Sequence, residues 1–221
     1  MKTIKLFVLA ASVAFSGSAM AQKIKITQGT FSELKGQTEV NVVFDYSELT
    51  CAGGAPFASG KPKPEAEWLG EIVTKKNEKE AGTGDDFKKR WEAAKPGPFE
   101  SGFEVKLAEE WKGVTCKRGL SNAKYTIVIK VRYADPGFSM GVSTADAWLS
   151  TTIEVVETGS KTVSSSLTMD MIKGAQAGSG APGGFGVVAA IGGLTFEKRL
   201  GESFEKMGKS LYNKVLEKAF K

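Results

Sequence analysis

The chain has 221 residues, 41% of them hydrophobic and 25% charged, with 26 glycines, 2 cysteines and no histidine, a composition typical of a globular protein of one or two domains. The absence of histidine excludes Ser-His-Asp and Cys-His nucleophile systems and histidine metal sites, and removes the one side chain that titrates unperturbed near neutrality. Two cysteines are too few for an all-cysteine zinc site, so no metal and no cofactor is expected.

Residues 1–21 read as a secretory signal peptide. Lys2 and Lys5 precede an apolar run from Leu6 to Phe15, and small residues lead to Ala19-Met20-Ala21, an A-x-A cleavage site that would leave Gln22 first. The run is too short to span a bilayer as a helix, and no cysteine follows it to accept a lipid. The expected destination is the periplasm or the exterior. Loss of Lys2 and Lys5 turns 30 basic residues into 28 against 25 acidic ones, a charge of +3, too small an excess to argue for nucleic acid. In an oxidising compartment Cys51 and Cys116 are expected to pair as a disulfide. Such a bond would stabilise the fold by about 4 kcal/mol in the chain-entropy model.

The mature chain opens with two predicted strands. Lys23 to Thr27 is short, with Ile24 and Ile26 on one side. In Glu39 to Tyr46, Val40, Val42, Phe44 and Tyr46 oppose Glu39, Asn41 and Asp45. A loop from Cys51 to Lys61 leads into a helix that Pro62 and Pro64 can only precede. It carries Trp68, Leu69, Ile72 and Val73 as its apolar stripe and Lys75, Lys76 and Lys79 near its end. Gly82-Thr83-Gly84 breaks it. Asp85 or Asp86 can cap a second helix bearing Phe87 and Trp91, which must stop at Pro96. A third follows Pro98, with Phe99, Phe103, Leu107 and Trp111 four apart and Gly113 at its end.

Three alternating segments come next. Tyr125 to Tyr133 turns Ile127, Ile129 and Val131 inward and Thr126, Lys130 and Arg132 outward. Trp148 to Val156 sets Leu149, Thr151, Ile153 and Val155 against Ser150, Thr152 and Glu154. Val163 to Met171 sets Val163, Ser165, Leu167, Met169 and Met171 against Ser164, Ser166, Thr168 and Asp170. One apolar and one polar face per strand favours an antiparallel sheet covered on one side. A glycine-rich loop, 174–193, precedes a long amphipathic helix, 194–220, whose stripe is Phe196, Leu200, Phe204, Met207, Leu211 and Val215. The loop contains a literal G-x-G-x-x-G from Gly178 to Gly183, but Pro182 and the following glycines do not suit a strand-turn-helix dinucleotide site.

The expected architecture is therefore one α+β domain over 22–221: a two-layer sandwich with a mostly antiparallel sheet of about five strands and helices packed on one face. Its open polar face and the glycine-rich loop are the candidate contacts of a non-enzymatic binding or interaction protein of the cell envelope. The partner would be an envelope protein or glycan, and 185–196 is the candidate for peripheral membrane contact. An exported carbohydrate-active hydrolase would need a pair drawn from Asp45, Glu48, Asp135, Asp146, Glu154 and Asp170, though no local motif selects two of them. A lipid or hydrophobic-ligand binder would need a cavity lined by Phe44, Trp68, Phe103 and Trp111.

Four segments taken together carry a resemblance: KGQTEVNVVFDYS (Lys35 to Ser47), GTGDDFKKRW (Gly82 to Trp91), YTIVIKVRYADPGFSMGV (Tyr125 to Val142) and the amphipathic tail. The chain resembles a family of small secreted proteins of unknown function from gut-type Gram-negative bacteria. The resemblance implies export and a mixed helix-and-sheet layout, with no catalytic residues and no mechanism.

Overall fold

The structure, a computed structural model, describes residues 22–53, 61–140, 143–174 and 195–221. The signal peptide 1–21 and the glycine-rich loop beyond Gly174 lie outside the described residues. The stretch 185–196 is described only at Thr195 and Phe196.

The elements in chain order are β1 (Lys23–Gln28), β2 (Glu39–Asp45), β3 (Thr50–Cys51), β4 (Lys63–Pro64), α1 (Glu65–Lys79), α2 (Thr83–Ala94), α3 (Glu100–Glu110) and β5 (Thr115–Lys117). They continue with β6 (Tyr125–Asp135), β7 (Phe138–Met140), β8 (Ser143–Ala145), β9 (Trp148–Glu157), β10 (Val163–Lys173) and α4 (Phe196–Leu211). Eight strands form one sheet in the order β1-β10-β9-β6-β2-β5, with β3 against β6 and β4 outside β3. Strands β7 and β8 form a separate ribbon.

The helices and sheet match the α+β expectation, but the sheet is larger than five strands and mixed. Pairs β1/β10, β10/β9, β6/β9 and β3/β4 are antiparallel, whereas β2/β6, β2/β5 and β3/β6 are parallel. Two physical reasons account for the difference. Alternation reports that one face is wet, which a mixed sheet covered on one side shares, and says nothing of strand direction. The helices between β2 and β6 form a crossover, the connection that parallel neighbours require.

Burial divides the sheet cleanly. Val40, Val42, Ile127, Ile129, Val131, Leu149, Ile153, Val155, Leu167 and Met169 are all 1% exposed or less. Above them lie Phe103 and Leu107 of α3 and Leu200, Phe204, Met207 and Leu211 of α4, equally buried. The two helices cross closely because Gly208 lacks a side chain: a Cβ there would stand 2.6 Å from the Phe103 carbonyl oxygen. The Phe99 and Phe204 rings stack at 5.1 Å, and Trp68, Phe87, Trp91 and Phe196 join α1 and α2 to this core. The apolar spacings in the middle helices are thus core stripes.

Several local expectations need correction. Helix α2 starts at Thr83 behind Gly82, which sits at φ 86, with no side-chain cap. Asp85 and Asp86 lie within its first turn, and Asp85 instead accepts a hydrogen bond from Asn77 Nδ2 at 3.0 Å. The final helix is regular to Leu211, then widens through Tyr212–Leu216 before a last turn, Glu217–Ala219. In β10, Met169 faces Thr151 but Ile172 faces Leu149, so one extra residue bulges out. Met171 takes φ 57 there, and Ile172 is buried in the inward place expected for Met171. Thr126, expected at the surface, is buried and accepts a hydrogen bond from Asn41 Nδ2 at 3.2 Å.

The expected Cys51–Cys116 disulfide is not formed. Both thiols are free and buried. Cys51 lies level with Ala134 at one end of β6, whereas Cys116 pairs Val40, level with the Tyr125 end. Nine residues of β6 separate these levels, about 30 Å at roughly 3.3 Å per residue, far beyond the reach of a disulfide.

Candidate functional site

The face of the sheet opposite the helices is built from the alternate residues of β6, β9 and β10. One row across it runs Lys25, Thr168, Thr152, Lys130, Asp45, each residue directly opposite the next. Lys130 Nζ meets Glu154 of the neighbouring strand at 2.9 Å. Arg132 lies at a bulge between Val131, which faces Thr151, and Tyr133, which faces Ser150. Its guanidinium reaches over β9 to Asp170 of β10 at 2.5 Å and donates to the Thr151 carbonyl at 3.2 Å. Lys130, Arg132 and Asp170 remain more than a third exposed. The result is an ordered array of alternating charge on a rigid support, available to a partner.

The six carboxylates considered for hydrolysis do not assemble into a pair across a cleft. Asp45 accepts from the Ser47 backbone N–H at 2.9 Å, and the hydrogen bonds from Ser47 hold its carboxyl below the usual range. Asp135 accepts from Gly137 N–H at 2.8 Å. Asp146 pairs with Lys173 at 2.7 Å, Glu154 with Lys130, and Asp170 with Arg132. Glu48 is exposed between β2 and β3. The aromatics considered for a ligand cavity pack against other rings instead. Phe44 meets Phe103 edge-on at 5.6 Å, Trp68 lies 4.8 Å from Trp91, and Trp111 lies 5.6 Å from Phe220. The gap bounded by Tyr46, Leu49, Trp91, Phe99 and Phe204 has no room for a water molecule.

One cluster had no signal in the sequence beyond an i,i+4 pair. Glu100 and Glu104 of α3 both hold Arg118, which follows β5. Arg118 makes a two-pronged contact with Glu104 at 2.8 and 3.1 Å, bonds Glu100, and donates to Ser101 Oγ and the Pro96 carbonyl, each at 3.1 Å. Burial pushes the Glu100 carboxyl up and Arg118 opposes that shift. Beside it, burial and then the charge of Glu100 push the Tyr46 phenol up. Lys95 lies over the Tyr46 ring at 4.9 Å and pairs with Glu65 at 2.5 Å. These groups tie β2, β5, α1, α3 and the bend before α3 to one another. By joining these elements through Arg118 and Lys95, they form a structural clamp.

An open groove of about 390 Å³ lies between α1 and α2. Ala66, Leu69, Gly70 and Val73 supply its apolar lining and Glu65, Asp85, Lys88, Glu92 and Lys95 its charged lining. Among the described residues no group of three or more Cys, Asp or Glu could hold a metal ion. Among them, too, no helix is long and apolar enough to cross a membrane.

No family model and no curated protein matches the chain. Among solved structures it is similar to the PelC dodecamer from Paraburkholderia phytofirmans, with TM-score 0.40 and 12% identity over 86% of this chain and 97% of that one. It is also similar to XCC0632 from Xanthomonas campestris, of the DUF330 family, with TM-score 0.30 and 12% identity over 81% and 84% of the respective chains. At these TM-scores the likeness assigns neither family nor function.

Proposed function

We propose that this chain is an exported, non-enzymatic interaction protein of the cell envelope that presents the charged face of its sheet to a protein or glycan. The observation that carries the reading is the one-sided cover of the sheet. Helices bury one face except at its β1 edge, where Ile26 is 49% exposed. The other bears Lys130, Arg132 and Asp170, each more than a third exposed, with Glu154 paired to Lys130, in fixed register. Export rests on the reading of residues 1–21 as a signal peptide. The engagement of the candidate carboxylates by cations and N–H groups weighs against hydrolysis, and the ring-to-ring packing of Phe44, Trp68, Phe103 and Trp111 weighs against an internal lipid site.

Site-specific photocrosslinking in envelope preparations tests this. A photoreactive residue in place of Thr152, at the centre of the charged face, is expected to yield a discrete adduct. The same residue in place of Val105, which is 55% exposed on α3, is expected to yield none. Adducts from Val105 alone, or from neither position, would contradict the proposal.

A further inference from the structure

Strand β1 closes one side of the sheet. Among the described residues it pairs with β10 alone, and five of its six residues are exposed. Both of its ends are fastened. Just before it, Gln22 Oε1 accepts hydrogen bonds from Ser210 Oγ and Lys214 Nζ, each at 3.1 Å. Just after it, the Phe31 N–H donates to Ser165 Oγ at 2.9 Å with the Phe31 ring fully buried. Gly29 turns between them at φ 64, so close to β10 that a Cβ would stand 2.3 Å from Ser165 Oγ. Among the described residues the outer backbone groups of β1 pair with no other strand. β1 runs in step with β10 from Lys23 to Ile26 before a bulge at Thr27, so this stretch is the template that strand addition uses.

The side chains of β1 say what kind of strand fits. Lys23 lies opposite Asp170 and Lys25 opposite Thr168, both on the charged face. Asp170 is committed to Arg132, and neither lysine has an ion pair among the described residues. The two ammonium groups are one pleat repeat apart, about 7 Å along the strand. On the helix side Ile24 packs against the core, while Ile26 remains 49% exposed. Two copies of β1 side by side would bring lysines together, which disfavours pairing. The complement is a strand with carboxylates on one face and apolar side chains on the other.

We infer that β1 is a docking edge for an extended acidic segment of a partner protein, which adds to the sheet with its carboxylates at Lys23 and Lys25 and its apolar side chains at Ile26. The inference rests on the interaction reading above and names its mode. The same two lysines that reject a second copy select the acidic strand.

The test uses a fluorescent ten-residue peptide of alternating Glu and Val titrated into the purified protein. Saturable binding is expected, with slowed amide exchange in β1 and no binding of the Lys-Val counterpart. Binding is expected to fall roughly tenfold or more in K23E/K25E, whose exposed substitutions leave the melting temperature unchanged. Methylating alternate backbone amides of the peptide keeps its charge and removes its ladder donors, so binding is expected to disappear. Equal binding of the methylated peptide, indifference to the lysine reversal, no saturable binding, or a dimer already joined through β1 would each overturn the inference. A Thr152 adduct with no peptide binding would refute strand addition and leave the interaction reading standing. Peptide binding without the adduct would do the reverse.

Discussion

The two faces of this sheet are made from alternate residues of the same strands, yet they are held together by different physics. On the helix side, Ile129, Leu149, Ile153 and Leu167 have no exposure and belong to the same buried core as Phe103, Phe204 and Met207. Each such side chain contributes roughly 1.5–3 kcal/mol through removal from water. On the other side, Lys130, Arg132 and Asp170 stay partly in water, where an ion pair contributes about 0–1 kcal/mol. The first face makes the fold; the second is ordered by the first at little energetic cost. A surface whose arrangement the fold does not need is free to be shaped by a partner.

Substitutions should therefore differ sharply between the faces. The largest effect is expected from Phe103→Ala, which opens a cavity between α3, α4 and the sheet and should lower unfolding free energy in denaturant titration by about 3–5 kcal/mol. Arg118→Met should come second, at about 2 kcal/mol, because it leaves the partly buried Glu100 and Glu104 carboxylates without their shared cation. Glu100→Gln should show itself through pH. The folded carboxyl is raised, mainly by burial, so Glu100 contributes stability that is present below the ordinary carboxyl pKa and lost as pH rises through its folded value. The variant should thus gain on the parent as pH rises through that window, measured by melting across mildly acidic buffers. Lys130→Ala should cost less than about 1 kcal/mol, and added salt should shrink that difference. The smallest effect is expected from reductant. The thiols are free, with burial pushing Cys116 up to about 12 and Cys51 up as well. Reductant should leave the melting temperature unchanged, and thiol reagents should react only on unfolding.

The charged face was legible in the sequence, because the alternation in β6, β9 and β10 runs long enough to put Lys130, Arg132, Thr152, Glu154, Thr168 and Asp170 on one side. The parallel part of the sheet was not, since β3 and β5 are two or three residues long and show no period, and the alternation of β2 and β6 carries no strand direction. Bulges at Arg132 and Met171 each insert a residue that alternation cannot reveal, and the second decides that Ile172 rather than Met171 faces the core. An oxidising compartment and a single pair of cysteines suggest a disulfide but carry no distance, and the sheet places Cys51 beside Ala134 and Cys116 beside Val40, at opposite ends. The clamp around Arg118 stayed hidden because its two halves lie on different elements. The free edge of β1 depends on the strand order, which local patterns do not contain.

The most direct measurement is a charge exchange on the open face. The double variant Lys130→Glu with Glu154→Lys keeps the ion pair and reverses the array. Its unfolding free energy should match the parent's within about 1 kcal/mol, while the partner recovered by the parent protein from envelope extracts should be lost. Recovery of the same partner in the same yield, or a stability loss comparable to that of Phe103→Ala, would contradict the view that this face is spare to the fold and used for binding.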